Sequence, residues 1–227
     1  MEMYDFLTGP MLWVTFLVSF GGLLVRAVMY VRGLNWQLDR VAYRPNMSYG
    51  IRGAIRSILA FIIPFKAQAQ RERPGFTIIF FAFHIGLLVT PIFLEAHNVM
   101  LEKAFGFSLP TLGTGFADTL AWMCLVGGLF MVLRRIAFPE VRIITTAYDY
   151  LLLVITLAPF VTGLIARYEM GDYNFWLMAH IITGEIWLLS LPFTKLSHAI
   201  LFFMSRMQLG MDYGIKRGGM KGSDFAW

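Results

Sequence analysis

Five apolar segments, each long enough to cross a lipid bilayer, dominate this sequence of 227 residues. The hydrocarbon core of a bilayer is about 30 Å thick, so a helix needs about 20 apolar residues to cross it. The predicted spans cover roughly residues 7–31, 76–100, 116–138, 146–167 and 175–205. We therefore expect an all-α membrane protein in which five transmembrane helices form one bundle over residues 1–205, followed by a tail at 206–227.

The distribution of positive charge predicts the orientation of these spans. Only 15% of the residues are charged, against about 25% in soluble domains. The basic residues at or beyond the cytoplasmic ends of the predicted spans are Arg32, Arg40, Arg44, Arg52, Arg56, Lys66, Arg71, Arg73, Arg134, Arg135, Arg142, Arg206, Lys216, Arg217 and Lys221. The positive-inside rule places the N-terminus outside and the C-terminus in the cytoplasm, as in a multi-pass protein of the bacterial inner membrane.

Two segments outside the spans, one apolar and one rich in glycine, are predicted to differ in structure. Residues 50–66, GIRGAIRSILAFIIPFK, are apolar but too short and too interrupted to cross the bilayer. Arg52 and Arg56 are four residues apart and share one helical face, which predicts an amphipathic helix lying on the inner leaflet. A surface loop that contains isoleucines is the alternative. The Gly-rich tail GIKRGGMKGSDFAW predicts irregular structure until a partner orders it.

All four histidines, His84, His97, His180 and His198, lie within or at the rim of predicted spans. An ionisable side chain in hydrocarbon is costly, so it marks a functional site. Spans two and five run in opposite directions, which puts His97 level with His180 and His84 level with His198. Two imidazoles at each level predict bis-histidine ligation of two b haems. A proton relay and unrelated structural histidines are the alternatives, and zinc is disfavoured because the pairs cannot gather four ligands.

The directions in which the histidine side chains point fit this pairing less well than their levels in the membrane do. His180 and His198 are 18 residues apart, which on an unbroken helix is a whole number of turns. His84 and His97 are 13 residues apart, about 140° from sharing a face. An internal proline kinks a helix, so we predict that span two bends or changes pitch near Thr90–Pro91. The alternative is that His84 and His97 reach their two haems from different sides of span two.

Other residues in or near the spans are candidates for contacts with haem propionates, quinone or protons. The candidate propionate partners at the inner interface, where setting the topology is the alternative role, are Arg134, Arg135 and Arg142. The possible quinone or proton residues are Glu95, Lys103 and Glu185. For Glu185 the alternative is a paired structural carboxylate. Asp149 follows Thr145–Thr146, which predicts a capping role at the start of span four.

Small residues and the cysteine complete the inventory. The glycines near the histidines or within spans three and four fit the close approach of a macrocycle and simple helix packing equally well, and they are Gly86, Gly127, Gly128, Gly163 and Gly184. Cys124 is the one cysteine of the chain, so neither a disulfide framework nor a thiolate metal cluster is expected. Any iron–sulfur centre is therefore expected in a partner.

Several motifs resemble a known family. FHIGLL at His84, RRIAFPEVRIITTAYD between spans three and four, and LPFTKLSHA at His198 resemble the gamma subunit of respiratory nitrate reductase. That family consists of five-span dihaem cytochromes b with the N-terminus outside, and the resemblance covers the four C-terminal spans well and the first loosely. PIFLEAHNVMLEKAFG resembles cytochrome b subunits of redox complexes in sulfate-reducing bacteria, above all the small gamma-like subunit of the high-molecular-weight cytochrome c complex.

The resemblance implies that His84 and His198 hold the inner haem b and that His97 and His180 hold the outer one. This sequence departs from the pattern of nitrate reductase in two places. There the second histidine of helix two follows the first more closely, and the quinol pocket uses a lysine that the matching stretch here, SLPTLGTGF, lacks. A quinone site is therefore a weaker expectation than haem binding.

The function that the resemblance implies is electron transfer across the membrane within a larger complex. The expected partners are a cytoplasmic iron–sulfur subunit, other membrane subunits, membrane lipid and, on the outer side, menaquinol or a periplasmic multihaem cytochrome c. No nucleic-acid partner is expected, and the chain alone is an electron carrier rather than a complete enzyme. The alternatives are a proton or ion transporter that uses intramembrane His and Glu residues, and a membrane anchor with structural haem.

Overall fold

The computed structural model describes residues 2–34 and 47–216, which are almost entirely helical and contain no strand. The helices are α1 (Glu2–Phe6), α2 (Leu12–Gly33), α3 (Met47–Ile62), α4 (Gln68–Glu72), α5 (Pro74–Phe93), α6 (Glu95–Phe105), α7 (Thr114–Ala137), α8 (Pro139–Arg142), α9 (Ala147–Arg167), α10 (Tyr173–Phe193) and α11 (His198–Lys216). A π-helical turn at Leu7–Met11 joins α1 to α2, and a 3-10 turn at Lys195–Ser197 precedes α11.

Five helical segments are long and apolar enough to span a membrane. They are Met3–Gly33, Pro74–Phe93, Thr114–Ala137, Ala147–Arg167 and Tyr173–Phe193. The prediction of an all-helical protein with five candidate spans is therefore confirmed. The orientation of the termini stays a prediction.

The second predicted span, 76–100, is wrong as a single helix. α5 ends at Phe93, Leu94 has an extended backbone with ψ 132°, and α6 begins at Glu95. α5 continues through Pro91 and is interrupted three residues later, where the Pro91 and Phe93 carbonyls accept hydrogen bonds from outside the helix. The predicted bend is thus a complete break, and the angle calculated for an unbroken helix does not relate His84 to His97.

The fifth predicted span, 175–205, is also wrong as a single helix. α10 ends at Phe193, one residue after Pro192, and Thr194 has an extended backbone. The Thr194 hydroxyl accepts a hydrogen bond from the Leu196 amide at 3.1 Å, which starts a new helical turn. His198 therefore lies on another helix than His180, and the relation of a whole number of turns does not hold.

The described residues form two compact units. One contains residues 2–8 and 78–187, and the other contains residues 9–34, 47–77 and 188–216. Three of the histidines belong to the first unit, whereas His198 belongs to the second. The single predicted bundle stays a prediction.

Glycines bring the helices of the first unit close together. A Cβ at Gly86 of α5 would meet the backbone carbonyl oxygen of Leu120 in α7, and a Cβ at Gly127 would lie 2.8 Å from the Phe83 side chain. A Cβ at Gly128 would lie 2.5 Å from a leucine of α9. These three glycines therefore serve helix packing, one of the two roles that the sequence left open.

The second unit contains the helix predicted between residues 50 and 66. α3 packs against α11 so closely that a Cβ at Gly53 would meet the Gly210 carbonyl oxygen, and one at Gly214 would meet the Tyr49 carbonyl oxygen. The position of α3 at the inner leaflet stays a prediction. At the tail, α11 continues to Lys216, so the first tail residues are helical rather than irregular. Arg40, Arg44, Arg217 and Lys221 lie outside the described residues.

Candidate functional site

The end of α5 supplies the acceptor that orients His97. The last carbonyl groups of a helix have no amide partner within that helix. Here the Pro91 carbonyl accepts a hydrogen bond from His97 Nδ1–H at 2.8 Å, and the Phe93 carbonyl accepts one from the Leu112 amide at 3.0 Å. The break at Leu94 therefore both redirects the chain and exposes the oxygen that holds the His97 imidazole.

Asn98 closes the same helix end. Its side chain is only 2% exposed. Its Nδ2 donates to the carbonyls of Ile92 and Leu94 at 2.9 and 3.0 Å, and its Oδ1 accepts from the Leu109 amide at 2.9 Å. One amide thus joins the end of α5, the start of α6 and the loop before α7. Asn98 was not predicted from the sequence, where only its position next to His97 marks it as a candidate.

His180 reaches α9 through a gap left by a glycine. Its Nδ1–H donates to the Pro159 carbonyl at 2.8 Å. A Cβ at Gly163 would lie 2.9 Å from His180 Nδ1 and 3.0 Å from Cε1, which is closer than side chains normally pack. The hydroxyls of Thr162 and Thr183 join the same two helices at 3.2 Å. Among the glycines singled out from the sequence, Gly163 is the one that makes room for a predicted ligand.

The structure brings His97 and His180 together. Their ring centroids are 6.0 Å apart and their planes are 8° from parallel. A carbonyl oxygen only accepts hydrogen bonds, so each Nδ1 carries a proton and each Nε2 is the nitrogen left for another partner. Burial lowers the pKa of His97, which lies beyond the end of the α5 span, while the contact with the Pro91 carbonyl opposes that change. Burial thus favours the neutral form of the His97 imidazole.

The other two histidines have the same hydrogen-bond pattern. His84 Nδ1–H donates to the Phe80 carbonyl at 2.8 Å, and its ring lies 4.1 Å from the Phe80 ring, centroid to centroid. His198 Nδ1–H donates to the Lys195 carbonyl, within the turn that starts α11, at 2.9 Å. His84 belongs to the first unit and His198 to the second, so their pairing stays a prediction.

The described part of the chain contains no group of three or more His, Cys, Asp or Glu side chains that would hold a metal ion by itself. A pair of imidazoles falls short of the four ligands that structural zinc takes. It matches the two axial positions of a haem, whose macrocycle supplies the other four nitrogens.

The three candidate propionate partners lie at the end of α7 and on α8. Arg134 and Arg135 are partly buried, whereas Arg142 is exposed. Arg135 Nε is buried and has no hydrogen-bond partner among residues 2–34 and 47–216. A buried guanidinium nitrogen of this kind normally has an acceptor, so Arg135 is the arginine of the three with an unmet hydrogen-bonding need.

The candidate proton or quinone residues differ sharply in exposure. Glu95 and Lys103 are exposed in the first and last turns of α6, where their charges complement the helix dipole. Glu185 is 5% exposed, and its Oε1 has no partner within the described chain. The alternative role, a paired structural carboxylate, is therefore not supported at this oxygen. Asp149 has the predicted capping role, because its Oδ2 accepts from the Thr146 amide at 2.8 Å.

A bacterial protein matches the chain over almost its whole length. A protein of Nitratidesulfovibrio vulgaris (strain Hildenborough), described as "Protein", is 58% identical to the chain over 226 residues. The match covers 99% of this chain and 100% of the relative. No protein-family model and no solved structure matches the chain. Identity at this level over the full length of both proteins shows that the chain belongs to the same family as this bacterial protein.

Proposed function

We propose that the chain is the membrane cytochrome b subunit of a multisubunit respiratory complex and that it carries electrons across the membrane through two b haems. The observation that carries this proposal is the pair of His97 and His180, two imidazoles from different helices whose rings are nearly parallel and 6.0 Å apart. Each is fixed by a backbone carbonyl through Nδ1, which directs Nε2 toward metal ligation.

The spacing of the pair fits one iron between two imidazoles. A metal ion held by both Nε2 atoms, with bonds of about 2 Å and about 1 Å from each nitrogen to its ring centre, would put the two centroids at most roughly 6 Å apart. The observed separation is 6.0 Å, and the planes are nearly parallel. One turn after His180, a Cβ at Gly184 would meet nothing within 4 Å, so this side of α10 has free space for a flat group.

The remaining roles follow from the same pattern. His84 and His198 have the same proton on Nδ1 and would hold the inner haem, with Arg134, Arg135 and Arg142 as candidate propionate partners. A haem b held by such a pair of imidazoles would supply one-electron transfer. The protein sets the potential through ligand identity, burial and nearby charge.

The resemblance to the nitrate reductase gamma subunit implies the partners, and the basic residues predict the side of the membrane on which each would lie. On the cytoplasmic side a separate iron–sulfur subunit would exchange electrons with the inner haem. On the outer side the donor or acceptor would be menaquinol or a periplasmic multihaem cytochrome c, with other membrane subunits alongside. Glu95, Lys103 and Glu185 are the candidate residues for a quinone or its protons. The bacterial origin of the 58% identical relative supports the bacterial inner membrane as the location.

A reduced-minus-oxidised optical spectrum of the purified protein tests the proposal. We expect a b-type alpha band and two haems per chain. A protein without haem would refute it. Reduction of those haems by a menaquinol analogue would then distinguish an electron carrier from a membrane anchor with structural haem, whose haems would stay oxidised.

The buried Glu185 favours one alternative, a proton or ion transporter. Its unpaired Oε1 lies in a candidate span, where ionisable groups mark proton pathways. Proteoliposomes with a trapped pH-sensitive dye separate the two functions. A proton flux that needs no electron donor and is lost in Glu185→Gln would support transport, whereas the electron carrier predicts no such flux.

A further inference from the structure

α3 has a stripe of large apolar side chains opposite its buried small residues. Ile51, Ile55, Leu59 and Ile62 are 49%, 52%, 39% and 46% exposed. At 100° per residue they lie within an arc of about 80°. The other side of the helix, which faces α11, contains Gly50, Gly53, Ala54, Ser57 and Ala60. The close packing of these small residues on α11 leaves the large side chains pointing outward.

Two arginines border this apolar stripe. Arg52 and Arg56 are exposed, and their positions on the helix fall between the apolar stripe and the small residues. The sequence contains no acidic residue from Met47 to Arg71, so nothing in this stretch neutralises them. The exposed surface of α3 is therefore apolar along one edge and positively charged along the next.

Hydrogen bonds tie the end of α3 to the beginning of a candidate span. Gln70 Nε2 donates to the Phe61 carbonyl at 3.0 Å, and the Thr77 hydroxyl donates to the Gln70 carbonyl at 2.9 Å. Thr77 lies in the first turn of α5, and the span begins at Pro74. These bonds hold the last turn of α3 at the level of the start of α5, which is one end of a candidate span.

The turn after α3 extends the apolar stripe. Phe65 is 41% exposed and has a positive φ of 62°, a conformation that costs a bulky residue free energy. Arg71 holds this turn by donating to the carbonyls of Phe65 and Lys66 at 3.2 and 2.6 Å. A strained backbone that is fixed in this way presents an aromatic side chain outward at the same level as the start of α5.

We propose that α3 is a binding site for the headgroups of anionic phospholipids. The apolar stripe enters the boundary between headgroups and acyl chains, and Arg52 and Arg56 contact the lipid phosphates. Helices with a basic flank beside an apolar face bind anionic membrane surfaces in this way. The level set by the hydrogen bonds to α5 and the lack of acidic residues select lipid over a protein partner. This site is independent of haem and adds lipid selectivity to the proposed electron carrier.

A fluorophore on the apolar stripe tests the proposal in the full-length protein. Ile55→Cys is labelled with a polarity-sensitive dye, since native Cys124 is fully buried, and the protein is placed in nanodiscs. Brominated phosphatidylglycerol should quench the dye more strongly than brominated phosphatidylcholine. Arg52→Gln and Arg56→Gln should each lower this preference roughly fivefold. Lys103→Gln removes an equal charge from α6 and should leave it unchanged.

The opposite results overturn the proposal. Emission typical of water, without quenching by either lipid, would show that the apolar stripe is not in the bilayer and is left for a protein partner. Equal quenching by the two lipids would show that the arginines do not select anionic headgroups. Arg52→Lys keeps the charge and should keep the preference, so a loss there would contradict selection of anionic lipid by positive charge.

Discussion

Replacing Gly163 with alanine should weaken the outer haem site without affecting the inner one. The new Cβ would lie 2.9 Å from His180 Nδ1 and 3.0 Å from Cε1, whereas ordinary contacts begin at 3.4 Å. The imidazole would have to move by about half an ångström, away from the Pro159 carbonyl that holds its Nδ1 proton. Loss of a hydrogen bond that orients a metal-binding histidine typically lowers metal affinity 10–100-fold, which corresponds to about 1.4–2.7 kcal/mol.

The assay is the haem content per chain together with the low-temperature spectrum of each haem. We expect Gly163→Ala to lose part or all of one haem and to shift its spectrum, while the second haem keeps its spectrum. Gly21→Ala is the matched control, because a Cβ at Gly21 of α2 would meet nothing within 4 Å. Two full haems with unchanged spectra in Gly163→Ala would refute the reasoning about His180.

Three further substitutions test local parts of the structure. Asn98→Ala leaves buried carbonyl and amide groups without partners, at about 1–3 kcal/mol each, and should lower the thermal midpoint and loosen the haem held by His97. Gly53→Ala places a Cβ against a backbone oxygen of α11 and should cost about 1–3 kcal/mol of unfolding free energy. Asp149→Ala removes the α9 cap and should cost about 1 kcal/mol in the same measurement, with an unchanged haem spectrum.

Each of these substitutions has a result that would contradict its reasoning. An Asn98→Ala protein with the wild-type spectrum and stability would show that the amide does not position His97. A Gly53→Ala protein as stable as wild type would mean that α3 and α11 separate easily. A haem shift in Asp149→Ala would reveal a role beyond capping.

Counting residues along the predicted spans predicted that His97 and His180 lie at one level. The two rings are side by side in the structure. The directions of the side chains could not be predicted in this way. A proline marks a weak point in a helix, but the place of the break depends on the groups that satisfy the freed backbone.

The sequence did not reveal the residues that position the two imidazoles, because the groups that they contact are distant in the sequence. Gly163 acts on His180 from another helix, and its sequence context is the same as that of a glycine that merely packs. Asn98 bonds to a loop amide eleven residues away as well as to the end of α5. The glycines at 86, 127 and 128 show the converse, since residues that also suited a macrocycle turned out to pack helices.

The haem content of the four single histidine variants tests the central claim most directly. We expect two b haems in the wild-type protein. We expect His97→Ala and His180→Ala to lose the same haem, and His84→Ala and His198→Ala to lose the other. Loss of haems in the crossed pattern would contradict the pairing, and a wild-type protein without haem would contradict the proposed function itself.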